Sequence, residues 1–305
     1  MPQGTHDALP DPRNEQVMIY VDGALVPRAD AKVSVFDSGF LIGDGIWEGV
    51  RLHKGTFVYL NEHLDRLFQG AKAIALDVGM NRAQLTDALY RTVRANGMET
   101  DVHARLMVTR GVKKTPSQDP RLTVGGATIV IIAEHKRANP ETNRAGIRLF
   151  TSTVRRGSPD YLDPRLNCHS KLHEVIALTQ ALNAGADEAL MLDIHGFVST
   201  CNATNFFMVK SGAVWTSTGQ YCMNGITRGN VITLCEANAI PVYQKNFSLT
   251  DLYDADEAFV TGTFAGLVKV RDVDGRTIGD PDARPVTAKL TALYAAALDS
   301  AVAAD

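Results

Sequence analysis

The chain has no apolar run long enough to span a bilayer. Its first fifteen residues, Met1 to Glu15, also lack the apolar stretch of a signal peptide. They are polar, with Pro, Gly, Asp and Asn, a composition that predicts a flexible leader. Charge of one sign is scarce too: 31 Lys and Arg against 34 Asp and Glu leave a net charge of −3. Neither nucleic acid nor an anionic membrane is expected as a partner. The four cysteines, Cys168, Cys201, Cys222 and Cys235, form no CxxC pair. A reduced, cytoplasmic setting fits them, although spacing alone leaves pairing open. Internal repeats and low-complexity segments are missing. What is present is ordinary for a globular protein: 45% hydrophobic and 21% charged residues over 305 positions. That length holds one large domain or two smaller ones.

Periodicity divides the chain in two. Val17 to Val21 reads as a strand, followed by a turn at Asp22-Gly23 and a second short strand. Val50 to Leu60 has the pattern of a hairpin around Lys54-Gly55. Leu64, Leu67, Ala71 and Ile74 recur at helical spacing, as do Leu85, Ala88, Leu89 and Val93. His103 to Thr109 and Ala127 to Ala133 are candidate buried strands. The polar stretch 135–146, with Asn139, Pro140 and Asn143, reads as a linker. It separates an N-terminal α+β domain at 16–134 from a larger C-terminal α+β domain at 147–305. The second half predicts strands at 147–154, 188–193, 205–209 and 258–261. Its predicted helices run from about Lys171 to Ala184, from Arg228 to Asn238 and from Val286 to Ala304.

Three pieces of this pattern can bind a phosphate. Arg66 lies on a helix whose apolar face is taken by Leu64 and Leu67, so its guanidinium is expected to point elsewhere. A guanidinium suits bidentate phosphate binding, though a solvated surface arginine has the same pattern. Asn224-Gly-Ile-Thr-Arg228 is a glycine turn opening a helix. Its free amides and the Thr227 hydroxyl make an anion site, or Thr227 is an ordinary N-cap. Val260-Thr-Gly-Thr263 places two hydroxyls at a strand end, either as phosphate ligands or as a polar loop. A fourth segment, Gly43-Asp-Gly-Ile-Trp-Glu-Gly49, is glycine-rich.

From about Met18 to Ala297 these segments, with Ala184-Gly-Ala-Asp-Glu-Ala-Leu-Met-Leu-Asp193, recur in the order and approximate spacing of a known family. The chain resembles the class IV, pyridoxal 5'-phosphate (PLP)-dependent aminotransferases, the branched-chain and D-amino acid transaminases. The resemblance implies a two-domain α+β protein of fold type IV, usually a homodimer, with PLP where the domains meet. It also implies an amino donor and a keto acid as small-molecule substrates. By matching position, Arg66, the amides of Ile226 and Thr227, and Thr263 would hold the phosphate. Trp47 falls where the family lines its substrate pocket, and Arg105 could bind a substrate carboxylate. Each also reads as structural, Trp47 as core and Arg105 as an ion pair.

Two positions depart from the family. The Schiff-base lysine belongs at position 167 in Asp163-Pro-Arg-Leu-Asn167, and this chain has Asn there. Leu172, Val175 and Ala177 hold the frame, so the nearest lysine is Lys171, one helical turn on. It is expected to have taken over the Schiff base and the proton transfer, with Asn167 contacting cofactor or substrate. The family's glutamate, which holds the pyridine nitrogen protonated, is replaced by Thr200. A hydroxyl cannot do this electrostatically, so a weaker electron sink is expected. The reading is an aminotransferase with a displaced lysine, with branched-chain-like substrates as the family default. The alternatives are a lyase, a racemase, a PLP-independent enzyme or a non-catalytic phosphate-binding protein. Cys168, His169, His173 and Cys201 have a spacing that can bind zinc, but histidines more often hydrogen-bond without metal, and none is expected.

Overall fold

The computed structural model describes residues 4–303. It divides into two compact units. The first comprises 9–137, 166–171 and 300–303, and the second comprises 4–8, 138–165 and 172–299.

The first unit is a six-stranded antiparallel sheet. Its strands are β1 (Met18–Val21), β2 (Ala24–Pro27), β3 (Gly45–His53), β4 (Thr56–Val58), β5 (Val102–Thr109) and β6 (Thr128–His135). They lie in the order β2-β1-β6-β5-β3-β4. Both tight hairpin turns put two consecutive residues at positive φ, Asp22 and Gly23 at 47° and 96°, and Lys54 and Gly55 at 49° and 84°. That twist matches the flanking strands. Alternation along the strands sorts the two faces. Val102, Ala104, Leu106 and Val108 of β5, with Ile129, Ile131 and Ala133 of β6, are buried in the core with Leu64, Leu67, Leu85 and Leu89. These leucines belong to α2 (Leu60–Ala73) and α3 (Arg82–Ala95). Each fully buried aliphatic side chain contributes about 1.5–3 kcal/mol. The opposite face presents Trp47, His103, Arg105 and Met107. A short helix, α1 (Ser38–Ile42), is capped by Asp37, whose side chain accepts from the Gly39 amide.

The second unit is a nine-stranded mixed sheet. It contains β7 (Ile147–Thr151), β8 (Glu188–Leu192), β9 (Val198–Cys201), β10 (Asn205–Lys210), β11 (Ala213–Thr216), β12 (Val242–Gln244), β13 (Glu257–Gly262), β14 (Gly266–Val273) and β15 (Arg276–Thr277). The order is β12-β11-β10-β13-β14-β7-β8-β9, with β15 paired to β14. Strand β8 is buried along its whole length, as are all but the last residues of β10 and β13. They are correspondingly continuous in apolar residues rather than alternating. The helices are α4 (Pro140–Ala145), α5 (Leu172–Asn183), α6 (Ile226–Ala237), α7 (Leu249–Tyr253) and α8 (Pro285–Ala303).

The stretch 135–146, expected as a linker, contains α4, whose N-cap Asn139 accepts from the Glu141 amide. The chain passes between units at Arg137 and Ala138. Of the expected leader, residues 1–3 lie outside the described residues, as does Ala304 of the closing helix. Gly4 to Ala8 are hydrogen-bonded within the second unit, and Pro12–Gln16 form a 3-10 turn capped by Asp11. No helix among the described residues is long and apolar enough to cross a membrane.

Candidate functional site

In the first unit the segment carrying Asn167 runs as an extra edge strand against the start of β3, where β4 does not reach. The Trp47 amide donates to Asn167 O at 3.0 Å, and the His169 amide donates to Gly45 O at 2.9 Å. Side chains reinforce the pairing. Asn167 Nδ2 donates to Trp47 O at 2.6 Å, Trp47 Nε1 to Cys168 O at 3.1 Å, and His169 Nε2 to Ile46 O at 3.0 Å. Five bonds over three residues hold the position where the family carries its lysine. Asn167 is buried, and its Oδ1 has no hydrogen-bond partner. Such an acceptor costs about 1–3 kcal/mol unless a ligand or water satisfies it. Burial lowers the pKa of His169, and with Nε2–H on a carbonyl its Nδ1 is an acceptor. Lys171 closes this segment, half-buried, just before α5.

Trp47 is held by its indole N–H, and Arg105 lies over its ring, the guanidinium carbon 4.0 Å from the centroid. Both belong to the face turned away from α2 and α3. Gly49 leaves room there for His103, because a Cβ at Gly49 would come within 2.8 Å of His103 Nε2. A cavity of about 540 Å³ opens on the same face, lined among others by Val17, Ile19, Met107, Val130 and His169. It is large enough for a small organic ligand.

Arg66 does not point away from the apolar face. Glu48 sits on the core side of β3, in step with Ile46, Val50 and Leu52, and draws the guanidinium inward. Arg66 Nε and Nη2 donate to its two oxygens, each at 2.7 Å, and His63 Nδ1 donates to Oε2 at 2.7 Å. Glu48 and His63 are 0% and 1% exposed, and Arg66 16%. Burial pushes the Glu48 carboxyl up, but the bonds from Arg66 and His63 outweigh it and hold the pKa below the usual range. While that pair stands, the Nε/Nη2 fork of Arg66 cannot grip a phosphate. Glu48 and His63 escaped sequence reasoning, although a carboxylate on an otherwise apolar alternation (46, 48, 50, 52) was a usable signal.

In the second unit, α6 begins at Ile226 after the N-cap Gly225, which makes no side-chain cap bond. The amides of the first turn therefore have no intrahelical acceptor. Gly225 is dictated by its neighbour: a Cβ there would lie 2.3 Å from Asn205 Oδ1. Asn205 Nδ2 donates to Met223 O at 2.9 Å and so anchors the turn that enters α6. Thr227 is buried, its hydroxyl 3.4 Å from Tyr294 OH. Helix α6 packs on β13, at whose end Thr261 Oγ1 is buried without a hydrogen-bond partner. Thr263 follows, half-buried in the turn to β14. Bare helix amides, a buried orphan hydroxyl and a glycine held by steric contact fit a phosphate group.

Thr200, at the family's glutamate position, is bonded to the β9–β10 loop. Its hydroxyl donates to Thr204 O at 2.7 Å. Arg228 is also structural, donating to Ser217 O and Gln244 Oε1. Of the histidines with the zinc spacing, His169 is held by Ile46 O, and His173 lies between Arg156 Nη1 at 3.0 Å and Glu174 Oε2 at 3.0 Å. No group of three or more His, Cys, Asp or Glu among the described residues is placed to hold a metal. The four cysteines are free and buried.

The two-sheet architecture is that of a known class of enzymes. The family model for amino-transferase class IV matches residues 45–273. The chain belongs to this family, which is PLP-dependent, and has its type IV fold. It is 42% identical over 287 residues to branched-chain-amino-acid aminotransferase-like protein 1 of Arabidopsis thaliana, covering 94% of this chain and 52% of that protein. The chain thus spans about half the length of this relative. It is 41% identical over 273 residues to a putative branched-chain-amino-acid aminotransferase of Methanocaldococcus jannaschii, covering 89% of this chain and 93% of that one. Among solved structures, a T.th. branched-chain amino acid aminotransferase complexed with N-(5'-phosphopyridoxyl)-L-glutamate superposes with a TM-score of 0.87. The identity is 28%, with 94% of this chain and 95% of that chain covered.

Proposed function

We propose that this chain is a PLP-dependent aminotransferase, exchanging an amino group between a branched-chain-like amino acid or an amine and a 2-oxo acid. The observation that carries the reading is the start of α6. Uncapped amides at Ile226 and Thr227 follow Gly225, whose missing Cβ leaves room for Asn205, and α6 packs on the strand that carries the unsatisfied Thr261 hydroxyl. These groups, with Thr263, would hold the phosphate. Arg66 would add charge rather than a fork, because Glu48 occupies its Nε/Nη2 edge. When bound, PLP would supply an electron sink for the electron pair left when a substrate proton departs. Lys171 is the amine that would attach it and carry the proton, and the orphan Asn167 Oδ1 is an acceptor for cofactor or substrate. Thr200 would sit by the ring nitrogen without protonating it, which weakens the sink. Trp47 and Arg105, stacked on the open sheet face, are the substrate-side residues, Arg105 for a carboxylate. By the family pattern the assembly is a homodimer, and the free cysteines are in keeping with a reducing cytoplasm.

The test is borohydride reduction of the purified chain with PLP, with absorbance before and after and peptide mapping of the product. The expected result is a reduced adduct on Lys171, lost in Lys171→Ala. An adduct on another residue, or bound PLP that borohydride does not fix, removes Lys171 from this role. The second outcome also favours a repurposed or non-catalytic family member. No binding at all removes the cofactor.

A further inference from the structure

Glu188 lies in β8, 2% exposed, and among the described residues its three hydrogen-bond donors are neutral. Thr5 N donates to Oε1 at 2.8 Å, the Thr5 hydroxyl donates to the same oxygen, and Thr204 Oγ1 donates to Oε2 at 2.9 Å. A buried carboxylate bound this way is costly to strip of a donor. Thr5 is itself buried, 4% exposed. The residues around it are fastened to the same unit. The His6 ring stacks on Phe264 at 6.3 Å, Asp7 Oδ2 accepts from Asn139 Nδ2 at 3.1 Å, and Ala8 bridges Ala138.

From Glu188 the bonds continue toward α6. Thr204 O accepts from Thr200 Oγ1 at 2.7 Å and from the Cys201 amide at 2.9 Å, which closes the β9–β10 loop. The next residue is Asn205, whose amide reaches Met223 O and Thr200 Oγ1 and abuts Gly225. Every link from Thr5 to the first turn of α6 lies within the second unit.

We propose that Gly4 to Ala8 are a strap that positions the anion-binding turn through Glu188. Thr5 and Glu188 are positioning residues: they act through Thr204, whose loop carries Asn205 and so sets Gly225. The inference rests on the reading of the α6 start as a phosphate site. The strap restricts the conformations of 200–205, and through Asn205 those of 222–227, so a ligand meets amides already aimed. Its loss leaves the sheet intact and raises the cost of ordering the turn.

The experiment compares the full chain with Thr5→Val, which keeps the amide and shape but removes the hydroxyl donor, and with Thr5→Ser, which restores it. Hydrogen exchange is followed over the whole second unit, 198–229 and β13 included, and binding of PLP is measured beside that of unphosphorylated pyridoxal. In Thr5→Val, exchange is expected to quicken about tenfold at 200–205 and 222–229 and to stay unchanged in β13, one hydrogen bond being worth about a factor of ten. PLP affinity is expected to fall several-fold while pyridoxal affinity holds, with Thr5→Ser near the parent in both. Unchanged exchange at 222–229 overturns the strap, as does a uniform rise over the whole unit or equal loss of PLP and pyridoxal. If the parent chain binds no PLP, the cofactor reading fails while the exchange arm still decides the strap.

Discussion

Replacing Glu48 by Gln tests whether the first unit is organised around a buried ion pair. The substitution preserves shape but removes the charge that Arg66 and His63 address through three bonds of 2.7 Å. Breaking one side of a buried pair costs about 3–5 kcal/mol. Glutamine keeps one oxygen acceptor, and Arg66 at 16% exposure can recover some water, so the lower end applies, about 3 kcal/mol. For a chain of this size a urea m-value near 3 kcal/mol/M makes that a fall of roughly 1 M in midpoint. The reporter is at hand: Trp47 is next to Glu48, and Trp215, the other tryptophan, lies in the second unit. In a Trp215→Phe background, fluorescence follows the first unit alone. The pH dependence has a definite sign. The folded-state pKa of Glu48 is lowered, so its contribution is full above the unfolded-state pKa of about 4.3 and is lost as pH falls through the folded value. The gap between parent and Glu48→Gln should therefore be widest near neutrality and close in acid. A midpoint shift under roughly 0.3 M at pH 7, or a gap that widens in acid, would refute the argument.

Two other substitutions probe the halves of the site. Gly225→Ala needs no change of backbone, its φ and ψ being −62° and 141°, but its Cβ displaces Asn205 and the bond to Met223 O. The expected cost is about 1–3 kcal/mol in thermal or urea unfolding, with PLP affinity lost beyond that, and wild-type affinity would count against the α6 cup. Trp47→Phe removes the donor to Cys168 O, about 1 kcal/mol, so hydrogen exchange should quicken at 166–171 and not in β5 or β6. Protected amides at 166–171 in that variant would show that the backbone pairing alone suffices.

Local chemistry made much of this protein legible in its sequence. Period-two alternation in β5 and β6, 3.6-period spacing in α2 and α3, and paired turn residues at Asp22-Gly23 and Lys54-Gly55 act over a few neighbours, so the elements appeared where those patterns lie. Gly225 before a helix, and the absence of a lysine at 167 or a carboxylate at 200, are likewise facts of order along the chain. The tertiary structure alone decided which partner each polar group met. Arg66 was expected to face away from the core, and Glu48, eighteen residues earlier and on another element, turned it inward. The Thr200 hydroxyl donated a hydrogen bond to Thr204 O, Asn167 joined the edge of β3, and Thr5 found Glu188 across 183 residues. A hydrogen bond is set by distance and angle in space, and burial removes water as the alternative partner, so no periodicity or spacing along the chain encodes the choice.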